Sequence, residues 1–242
     1  MTDEISLAII IPTFNEVHNV EKLINSINKE VSYALKIIIV DDNSPDGTSG
    51  LVHNITKHKK NVFLIKRKAK GGRGSAVITG FKFAMKFKPD YFIEMDADFS
   101  HRTQDLPHLL LSAIQNKHDI VIGSRYLNKS KIYNWSVKRK IFSRLANFYA
   151  KSVLQVPISD YTNGFRIYSN KAIAFLMTKK IESVGFIVLS ETAYLLNKAN
   201  FKFGEIPIIF VNRKRGSSNL SLNEIKNAFL GIWRIRFPKT NN

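Results

Sequence analysis

The 242-residue chain contains no cysteine, which excludes a disulfide framework and any zinc or iron–sulfur site with thiolate ligands. Acidic residues are scarce: 19 Asp and Glu stand against 37 Lys and Arg, which gives a formal net charge of +18. Long apolar runs are also absent, since residues 7–11 and 37–40 fall far below the roughly 18 residues that span a bilayer. The first four residues carry two acids and no basic region, so we expect neither a secretory signal nor a transmembrane helix.

The basic residues are concentrated in two stretches. Residues 47–89 contain no acid, and within them residues 57–88 hold eleven basic side chains. Residues 128–159 again contain no acid and hold seven basic side chains. Such an excess indicates an anionic partner, namely nucleic acid, phosphorylated small molecules or an acidic membrane surface, or else a bias of the genome toward Lys and Asn.

Short apolar segments alternate with helical patterns in the first half of the chain. The segments typical of buried strands are residues 7–11, 36–40, 62–65, 91–95 and 119–123. Helical spacing of apolar residues falls between them, over 20–31, from about 49, over 74–87 and over 106–115. This order predicts an α/β fold with a mostly parallel sheet and helices on both of its faces.

The second half is less regular. It predicts helices over 138–154, 171–180, 190–199 and 222–235, and one strand over 206–211 with Pro207 near its start, as in an edge strand. No linker separates two domains. We therefore expect a single catalytic or binding domain over residues 1–220, followed by an amphipathic helix within residues 221–242.

Carboxylates follow two of the predicted strands, and ligands of parallel sheets bind at that edge. Asp41 and Asp42 follow the second strand, and Asp96 and Asp98 follow the fourth. Two carboxylates two residues apart repel each other unless a cation lies nearby, and Mg²⁺ or Mn²⁺ bound with a substrate's phosphates meets that need. The alternative is a solvated turn with helix-capping acids.

A basic, glycine-rich segment, residues 66–74, follows the third strand and opens a helix. Its glycines and the free N–H groups of the helix start favour phosphate binding, although a flexible basic loop is an equal alternative. The segment matches neither the G-x-x-x-x-G-K-[ST] nor the G-x-G-x-x-G pattern, which argues against nucleoside triphosphatases and dinucleotide oxidoreductases.

These segments together resemble the family-2 glycosyltransferases of the GT-A fold, and in particular the polyprenyl-phosphate (dolichol-phosphate) mannosyltransferases. The segments that carry the resemblance are 12–16, 40–48, 95–101, 123–126, 134–140, 143–147, 159–166 and 210–213. They span the chain from about residue 7 to residue 230, and their order and spacing are more specific than any one of them.

The resemblance implies a role for each matching residue. The nucleotide-sugar would be bound by Pro12, Phe14, Glu16, Val40, Asp42, Ala97 and Asp98. The divalent ion, Mg²⁺ or Mn²⁺, would be held by Asp96, Asp98 and Ser100. Asp98, Arg125 and Arg213 would be the catalytic residues, and the acceptor phosphate would be bound by Arg125, Arg139, Arg213 and Asn219.

The reaction that the resemblance implies is inverting transfer of a hexose, most often mannose from GDP-mannose, to a polyprenyl monophosphate. The acceptor phosphate is already an anion at pH 7, so no strong general base is required. The sequence departs from the family at Asn219, where a phosphate-binding Lys is usual, and at Val188 and Leu189, where more polar residues are usual. A related transferase with a UDP-sugar donor and a different lipid or glycan acceptor is the first alternative. A basic nucleic-acid-binding module is a distant one, because no RNA- or DNA-binding motif is present.

A lipid acceptor requires contact with a membrane, and two predicted helices favour it. The helix predicted over 138–154 places a mostly apolar stripe beside basic residues, and the residues on this stripe are Val137, Ile141, Leu145, Phe148 and Ser152. A similar stripe with Trp233 lies in the last predicted helix. These stripes either dock on an anionic membrane or pack on the sheet. We expect a cytoplasmic protein, peripheral on the cytoplasmic face of a membrane, that uses its own helices or a separate membrane-anchoring subunit.

Overall fold

The computed structural model describes residues 5–183, 185–212 and 222–238, with only the backbone described for 222–227. Nine strands are described: β1 (Ser6–Thr13), β2 (Ala34–Asp41), β3 (Val62–Lys66), β4 (Tyr91–Glu94), β5 (Ile120–Ser124), β6 (Lys131–Tyr133), β7 (Arg166–Ser169), β8 (Phe203–Pro207) and β9 (Ile209–Val211). Seven form one sheet in the order β3-β2-β1-β4-β7-β5-β8, and β6 pairs with β9 in a separate ribbon. The predicted α/β fold is confirmed.

Helices cover both faces of this sheet. They are α1 (Val20–Glu30), α2 (Thr48–His58), α3 (Arg73–Ala84), α4 (Leu106–Gln115), α5 (Val137–Leu154), α6 (Asn170–Met177), α7 (Ile187–Lys198) and α8 (Leu222–Arg236). Side chains of a strand alternate between faces, so Leu7, Ile9 and Ile11 join one buried apolar cluster while Ala8 and Ile10 join the other. Continuous apolar strands such as β1 are typical of a sheet buried on both faces.

One helix lies unusually close to the sheet. A Cβ atom at Gly80 of α3 would overlap Cγ2 of Ile10 in β1, so only glycine fits at this point. The close approach brings the start of α3 near the carboxyl end of β4. The first residue of α3 is Arg73, which the sequence analysis treated only as part of a basic segment.

Strand β7 is the antiparallel member of the main sheet. It pairs with β4 on one side and with β5 on the other, both antiparallel. Its start therefore lies at the edge where β4 and β5 end, and residues 160–165 lie beside those strand ends. Neither β6 nor β7 was predicted, because β6 has only three residues and the two apolar residues of β7 stand between an arginine and a serine.

The predicted single strand over 206–211 is wrong. The structure divides it at the buried residue Ile208 into β8, which pairs with β5, and β9, which pairs with β6. Pro207 lacks an N–H group and ends β8, whereas it was expected near a strand start. The expectation of an edge strand is confirmed, since β8 is the last strand of the main sheet.

Helix α8 packs beside α5 and α7. The rings of Tyr149 and Phe229 are 4.5 Å apart, and Ile232 is buried in the apolar cluster that α7 also lines. The boundary expected at residues 220 and 221 lies outside the described residues. Among the helices that are described, none combines the length and hydropathy required to cross a bilayer.

Candidate active site

The ends of β1 and β2 are joined by a network around Asp41. This fully buried carboxylate accepts hydrogen bonds from the Thr13 hydroxyl at 3.1 Å, the Ser49 hydroxyl at 2.5 Å, and both the N–H and hydroxyl of Ser44. Asp41 therefore shapes the turn after β2, and its oxygens are not open to a ligand. In the same turn, the Ser44 hydroxyl accepts a hydrogen bond from the backbone N–H of Asn15 at 3.0 Å. This bond fixes the loops after β1 and β2 against each other.

The residues predicted for the nucleotide lie around these loops with different exposures. Phe14 is exposed, and Nζ of Lys70 lies 3.8 Å from its ring centroid. Glu16 is half-buried and accepts a hydrogen bond from the Asn19 amide at 2.7 Å. Pro12 near the end of β1 is half-buried. The side chain of Val40 is fully buried in the core, so this residue can offer a ligand only backbone atoms.

The basic, glycine-rich segment closes on Asp42. The N–H groups of Gly71 and Gly72 donate to Oδ2 of Asp42 at 3.1 and 2.8 Å, and the Arg67 guanidinium lies 2.7 Å from Oδ1. These N–H groups attract an anion, as the sequence predicted, but in this structure the anion is a carboxylate of the protein. Neither the hypothesis of a phosphate-binding segment nor that of a flexible loop predicted this contact with Asp42.

Arg73 joins the carboxylates at the end of β4. Its Nε donates to Asp96 Oδ1 at 2.7 Å, Nη1 to Glu94 at 3.0 Å, and Nη2 to the carbonyl of Gly164 at 3.1 Å. Burial acts to raise the pKa of Asp96, but the charge of Arg73 outweighs it and holds this pKa below its ordinary value. Burial likewise acts to lower the pKa of Arg73, and the two carboxylates raise it instead. Asp96 is therefore ionised at neutral pH.

A buried histidine supports Asp96 from the other side. Nδ1 of His101 accepts the backbone N–H of Asp96 at 3.2 Å, so the ring proton is on Nε2, which donates to Asn163 Oδ1 at 2.8 Å. The ring stacks on Phe165 at 5.0 Å, and the Asn163 amide donates to the carbonyl of Gly123. His101 thus positions the loop after β4.

Asp98 and Ser100 complete that loop. Oδ1 of Asp98 accepts the N–H of Ser100 at 3.0 Å, and Phe99 between them has a φ of +59°, which is rare for a bulky side chain. Such strain at a ligand-binding loop is common because the surrounding contacts enforce it. Ser100 and Ala97 are buried, whereas Asp98 is half-buried and can reach a ligand.

The donor set at this edge suits a hard divalent ion. Oδ2 of Asp98 accepts no hydrogen bond in the described part of the chain, and Oδ2 of Asp96 lies 4.0 Å from the His101 ring. The described residues contain no cluster of three or more metal-binding side chains. Mg²⁺ and Mn²⁺ are commonly held by one or two carboxylates with substrate phosphates and water, so the residues present fit an ion that binds together with a diphosphate.

Arg125, after β5, is held by a bidentate ion pair. Its Nε and Nη2 each lie 2.8 Å from an oxygen of the fully buried Asp160, and Nη2 also donates to Thr162 at 2.6 Å. Burial acts to raise the pKa of Asp160, but Arg125 lowers it below the ordinary value. Two guanidinium nitrogens, Nε and Nη2, are therefore committed to contacts within the protein.

Arg139, near the start of α5, faces the same region. Its guanidinium carbon lies 4.3 Å from the Trp135 ring centroid, and Nη1 donates to Asn212 at 3.1 Å. Arg125 lies 5.3 Å from that same ring, so the indole separates two cations. The other two residues predicted to bind the acceptor phosphate, Arg213 and Asn219, lie outside the described residues.

Glu191 has a structural role that the sequence did not define. This buried carboxylate accepts the N–H groups of Glu182 at 3.1 Å and Ser183 at 2.8 Å, and so it anchors the segment before α7. It does not pair with an arginine in the described structure.

The outer face of α5 leaves its apolar stripe uncovered. Val137 and Phe148 are each 71% exposed, and Ile141 and Leu145 are also exposed, while the buried residues of the helix are Asn147, Ala150 and Leu154. The alternative that the stripe on α5 packs against the sheet is therefore wrong for the residues that the structure describes. Trp233 and Phe237 at the end of α8 are exposed as well, with rings 4.5 Å apart.

Several residues of the site were missed by sequence reasoning: Arg73, Glu94, His101, Asp160 and Asn163. Four of them lie in segments that carry the family resemblance or in the basic segment: Arg73, His101, Asp160 and Asn163. The sequence therefore pointed to these segments, but it did not indicate which side chains form pairs. No spacing rule tells which carboxylate an arginine 20 or 35 residues away will reach. The antiparallel course of β7 supplies that information.

Comparison with known proteins places this fold and site in context. The model of glycosyl transferase family 2 matches residues 8–176. A polyprenol monophosphomannose synthase of Mycolicibacterium smegmatis is 32% identical over 231 residues, covering 94% of this chain and 86% of that protein. An undecaprenyl-phosphate mannosyltransferase of Micrococcus luteus is 32% identical over 225 residues, covering 93% and 91%.

Solved structures support the fold. A glucosyl-3-phosphoglycerate synthase of Mycobacterium tuberculosis, in complex with Mn²⁺, UDP and glucosyl-3-phosphoglycerate, superposes with a TM-score of 0.63 at 14% identity, covering 95% of this chain and 78% of that one. A mannosyltransferase of Pyrobaculum calidifontis, in complex with GDP-Man and Mn²⁺, gives a TM-score of 0.62 at 16% identity, covering 98% and 71%.

Proposed function

The chain belongs to glycosyl transferase family 2 and is a glycosyltransferase, and from this premise we propose that it transfers mannose from GDP-mannose to a polyprenyl monophosphate. The observation that carries the proposal is the likeness, over more than nine-tenths of the chain, to two proteins named for mannose transfer to polyprenyl phosphates. The site geometry supports it, since strand-end carboxylates face a basic region on the same edge.

The donor would bind where β1, β2 and β4 end. Phe14 is exposed for stacking, Glu16 lies in the same loop, and Asp42 and the backbone of Val40 border the cleft. Asp96 and Asp98, with Ser100 beside them, would hold Mg²⁺ or Mn²⁺. A bound ion would offset the charge that grows on the leaving diphosphate.

The acceptor phosphate would bind on the other side of the sugar, at Arg139 and Arg125. An acceptor oxygen forms the new bond to the anomeric carbon while the bond from that carbon to the GDP oxygen breaks, which inverts the anomeric configuration. The attacking oxygen is already anionic, so no proton is abstracted. Catalysis then depends on positioning and on charge stabilisation by these side chains.

The exposed face of α5 supports membrane docking. Residues 128–159 contain no acid, and basic residues flank the apolar stripe of this helix. These basic residues are Lys138, Arg139, Lys140, Arg144 and Lys151. An apolar stripe bordered by cations suits the headgroup region of an anionic bilayer. We therefore propose that α5 and the end of α8 hold the enzyme, with or without an anchoring subunit, on the cytoplasmic face of a membrane.

Turnover with matched donors tests the proposal. Purified protein, Mn²⁺ and anionic vesicles that contain a polyprenyl phosphate are supplied with GDP-mannose, UDP-glucose or UDP-GlcNAc. We expect a β-linked mannosyl phospholipid from GDP-mannose and at least about 100-fold slower turnover of the other donors, since the loss of base-specific hydrogen bonds discriminates strongly. Faster turnover of a UDP-sugar would favour the alternative donor.

A further inference from the structure

We propose that Arg73 is a resident cation of the diphosphate site and that it makes binding of the divalent ion dependent on the nucleotide. By occupying one oxygen of Asp96, Arg73 weakens ion binding until a nucleoside diphosphate adds its own charge and ligands. Arg73 is thus a positioning residue. The inference rests on the part of the proposed function that assigns a divalent ion to Asp96 and Asp98.

The contacts of Arg73 show that its position is built into the fold. Three of its nitrogens each bind a different acceptor, and its side chain is only 12% exposed. A Cβ atom on Gly164 would overlap Nη2 of Arg73, so that glycine makes room for the guanidinium. The Phe186 ring lies 5.7 Å from the guanidinium carbon. Together these contacts hold the guanidinium in one place.

Arg73 and Glu94 form a neutral pair beside Asp96. Glu94 is buried, and its other oxygen accepts the Tyr168 hydroxyl at 2.6 Å, so it requires Arg73 for neutralisation. Asp96 and Asp98 alone carry the same formal charge, −2, as the four groups together, so the effect of Arg73 on an ion comes from its place on Oδ1 of Asp96 and not from the net charge. A guanidinium bonded to Asp96 also repels any cation that binds the same carboxylate.

A nucleoside diphosphate removes this disadvantage. Its phosphates add negative charge and oxygen ligands next to Asp98, and a hard divalent ion favours such a mixed set. The ion and the nucleotide should then strengthen each other's binding by the same factor, as thermodynamic linkage requires. Without Arg73, the carboxylates alone would hold the ion better and that factor would shrink.

Titration of Mn²⁺ by electron paramagnetic resonance, with and without saturating GDP, tests this inference without any turnover. The informative variant is Arg73→Met with Glu94→Gln, which removes both charges of a buried pair and leaves none unpaired. We expect it to bind Mn²⁺ about 10-fold more tightly than wild type without GDP, and the enhancement by GDP to fall by the same factor. The matched control, Lys171→Met with Asp119→Asn, removes an ion pair of 2.7 Å from the opposite edge of the sheet and should behave as wild type.

The outcomes separate the inference from the proposed function. Equal Mn²⁺ affinity of the variant and wild type without GDP overturns the inference, while Mn²⁺ binding by wild type with GDP preserves the proposed ion site. Absence of Mn²⁺ binding by wild type with GDP overturns both. If the double variant does not fold, Arg73→Lys retains the charge but not the planar fork, and an approximately 3-fold tightening is expected.

Discussion

The two halves of the sheet contribute to the site in different ways. Where β1, β2 and β4 end, the carboxylates of Asp42 and Asp96 are each paired with an arginine of the basic, glycine-rich segment, residues 66–74. Where β5 and β7 meet, one carboxylate, Asp160, holds Arg125, and Arg139 lies nearby against the Trp135 ring and Asn212. The first half presents carboxylates that are already hydrogen-bonded to arginines of the chain. The second presents cations next to uncovered apolar surface.

This difference matches two unlike substrates. A nucleotide-sugar diffuses in from water, and a cleft whose loops are already hydrogen-bonded to one another can receive it without reordering. A lipid acceptor has an anionic head and an apolar tail, and it requires cations and apolar residues side by side. Four predictions test this contrast, from the largest expected effect to the smallest.

Loss of the ion pair in the second half should destabilise the fold. Arg125→Met leaves Asp160 buried and unpaired, which should lower the free energy of unfolding by about 3–5 kcal/mol. Urea unfolding followed by circular dichroism measures the change. Lys180→Met, which breaks an ion pair at the surface, should give no measurable loss. A small effect of Arg125→Met would show that Asp160 is satisfied by its other contacts.

Loss of the half-buried carboxylate in the first half should affect transfer and not folding. Asp98→Asn removes a charge next to the proposed diphosphate, so we expect mannose transfer to fall by about 100-fold or more. The rate of label transfer into lipid measures it, with unfolding as the check on stability. Asp90→Asn, at the opposite edge, is the matched control. Full activity of Asp98→Asn would remove this residue from the site.

The uncovered stripe of α5 should govern membrane affinity alone. Ile141→Ser with Phe148→Ser should weaken binding to anionic vesicles by about 10-fold, since two apolar side chains no longer leave water. Vesicle sedimentation measures it, and turnover of a short, soluble acceptor should not change. Leu111→Ser, on the exposed face of α4, is the control. Equal loss for both variants would mean that the contact with vesicles is not specific to α5.

The smallest effect concerns pH and Glu205 in the edge strand β8. Burial raises the pKa of Glu205 above its ordinary value of 4.5, despite hydrogen bonds from Ser159 and Asp160. The folded state therefore binds the proton more tightly than the unfolded state, and this contribution is complete below pH 4.5 and lost as pH rises through the folded pKa. Relative to Glu205→Gln, wild type should become more stable as pH falls from 7 to 4.5. A relative loss would contradict the raised pKa.

The same contrast explains what could be predicted from sequence. Buried strands such as β1 and β2 have uninterrupted apolar runs bounded by turns, so the first half of the fold followed from pattern alone. Strands β6 and β7 have three and four residues, and their pairing depends on contacts between distant parts of the chain. Strand β8 pairs with β5 and strand β9 pairs with β6, and apart from Pro207 nothing in their local sequence predicts that they pair with different strands.

The candidate site was predicted as a set of positions but not as a set of pairs. Motif resemblance pointed to Asp96, Asp98 and Arg125, and hydropathy pointed to the stripe on α5. Neither the resemblance nor the hydropathy showed that Asp160 binds two nitrogens of Arg125, or that Arg73 pairs with Asp96. These pairs form because β7 runs antiparallel and because Gly164 leaves room for a guanidinium, and both are properties of the folded chain.

The transfer of labelled mannose from GDP-mannose into the lipid phase tests the central claim most directly. The assay compares vesicles that contain a polyprenyl monophosphate with vesicles that contain the corresponding free polyprenol. The account predicts labelled lipid only with the monophosphate, because the attacking group is an anionic phosphate oxygen held by arginines. Equal labelling of the free alcohol, or no lipid labelling while a soluble acceptor is glycosylated, would contradict it.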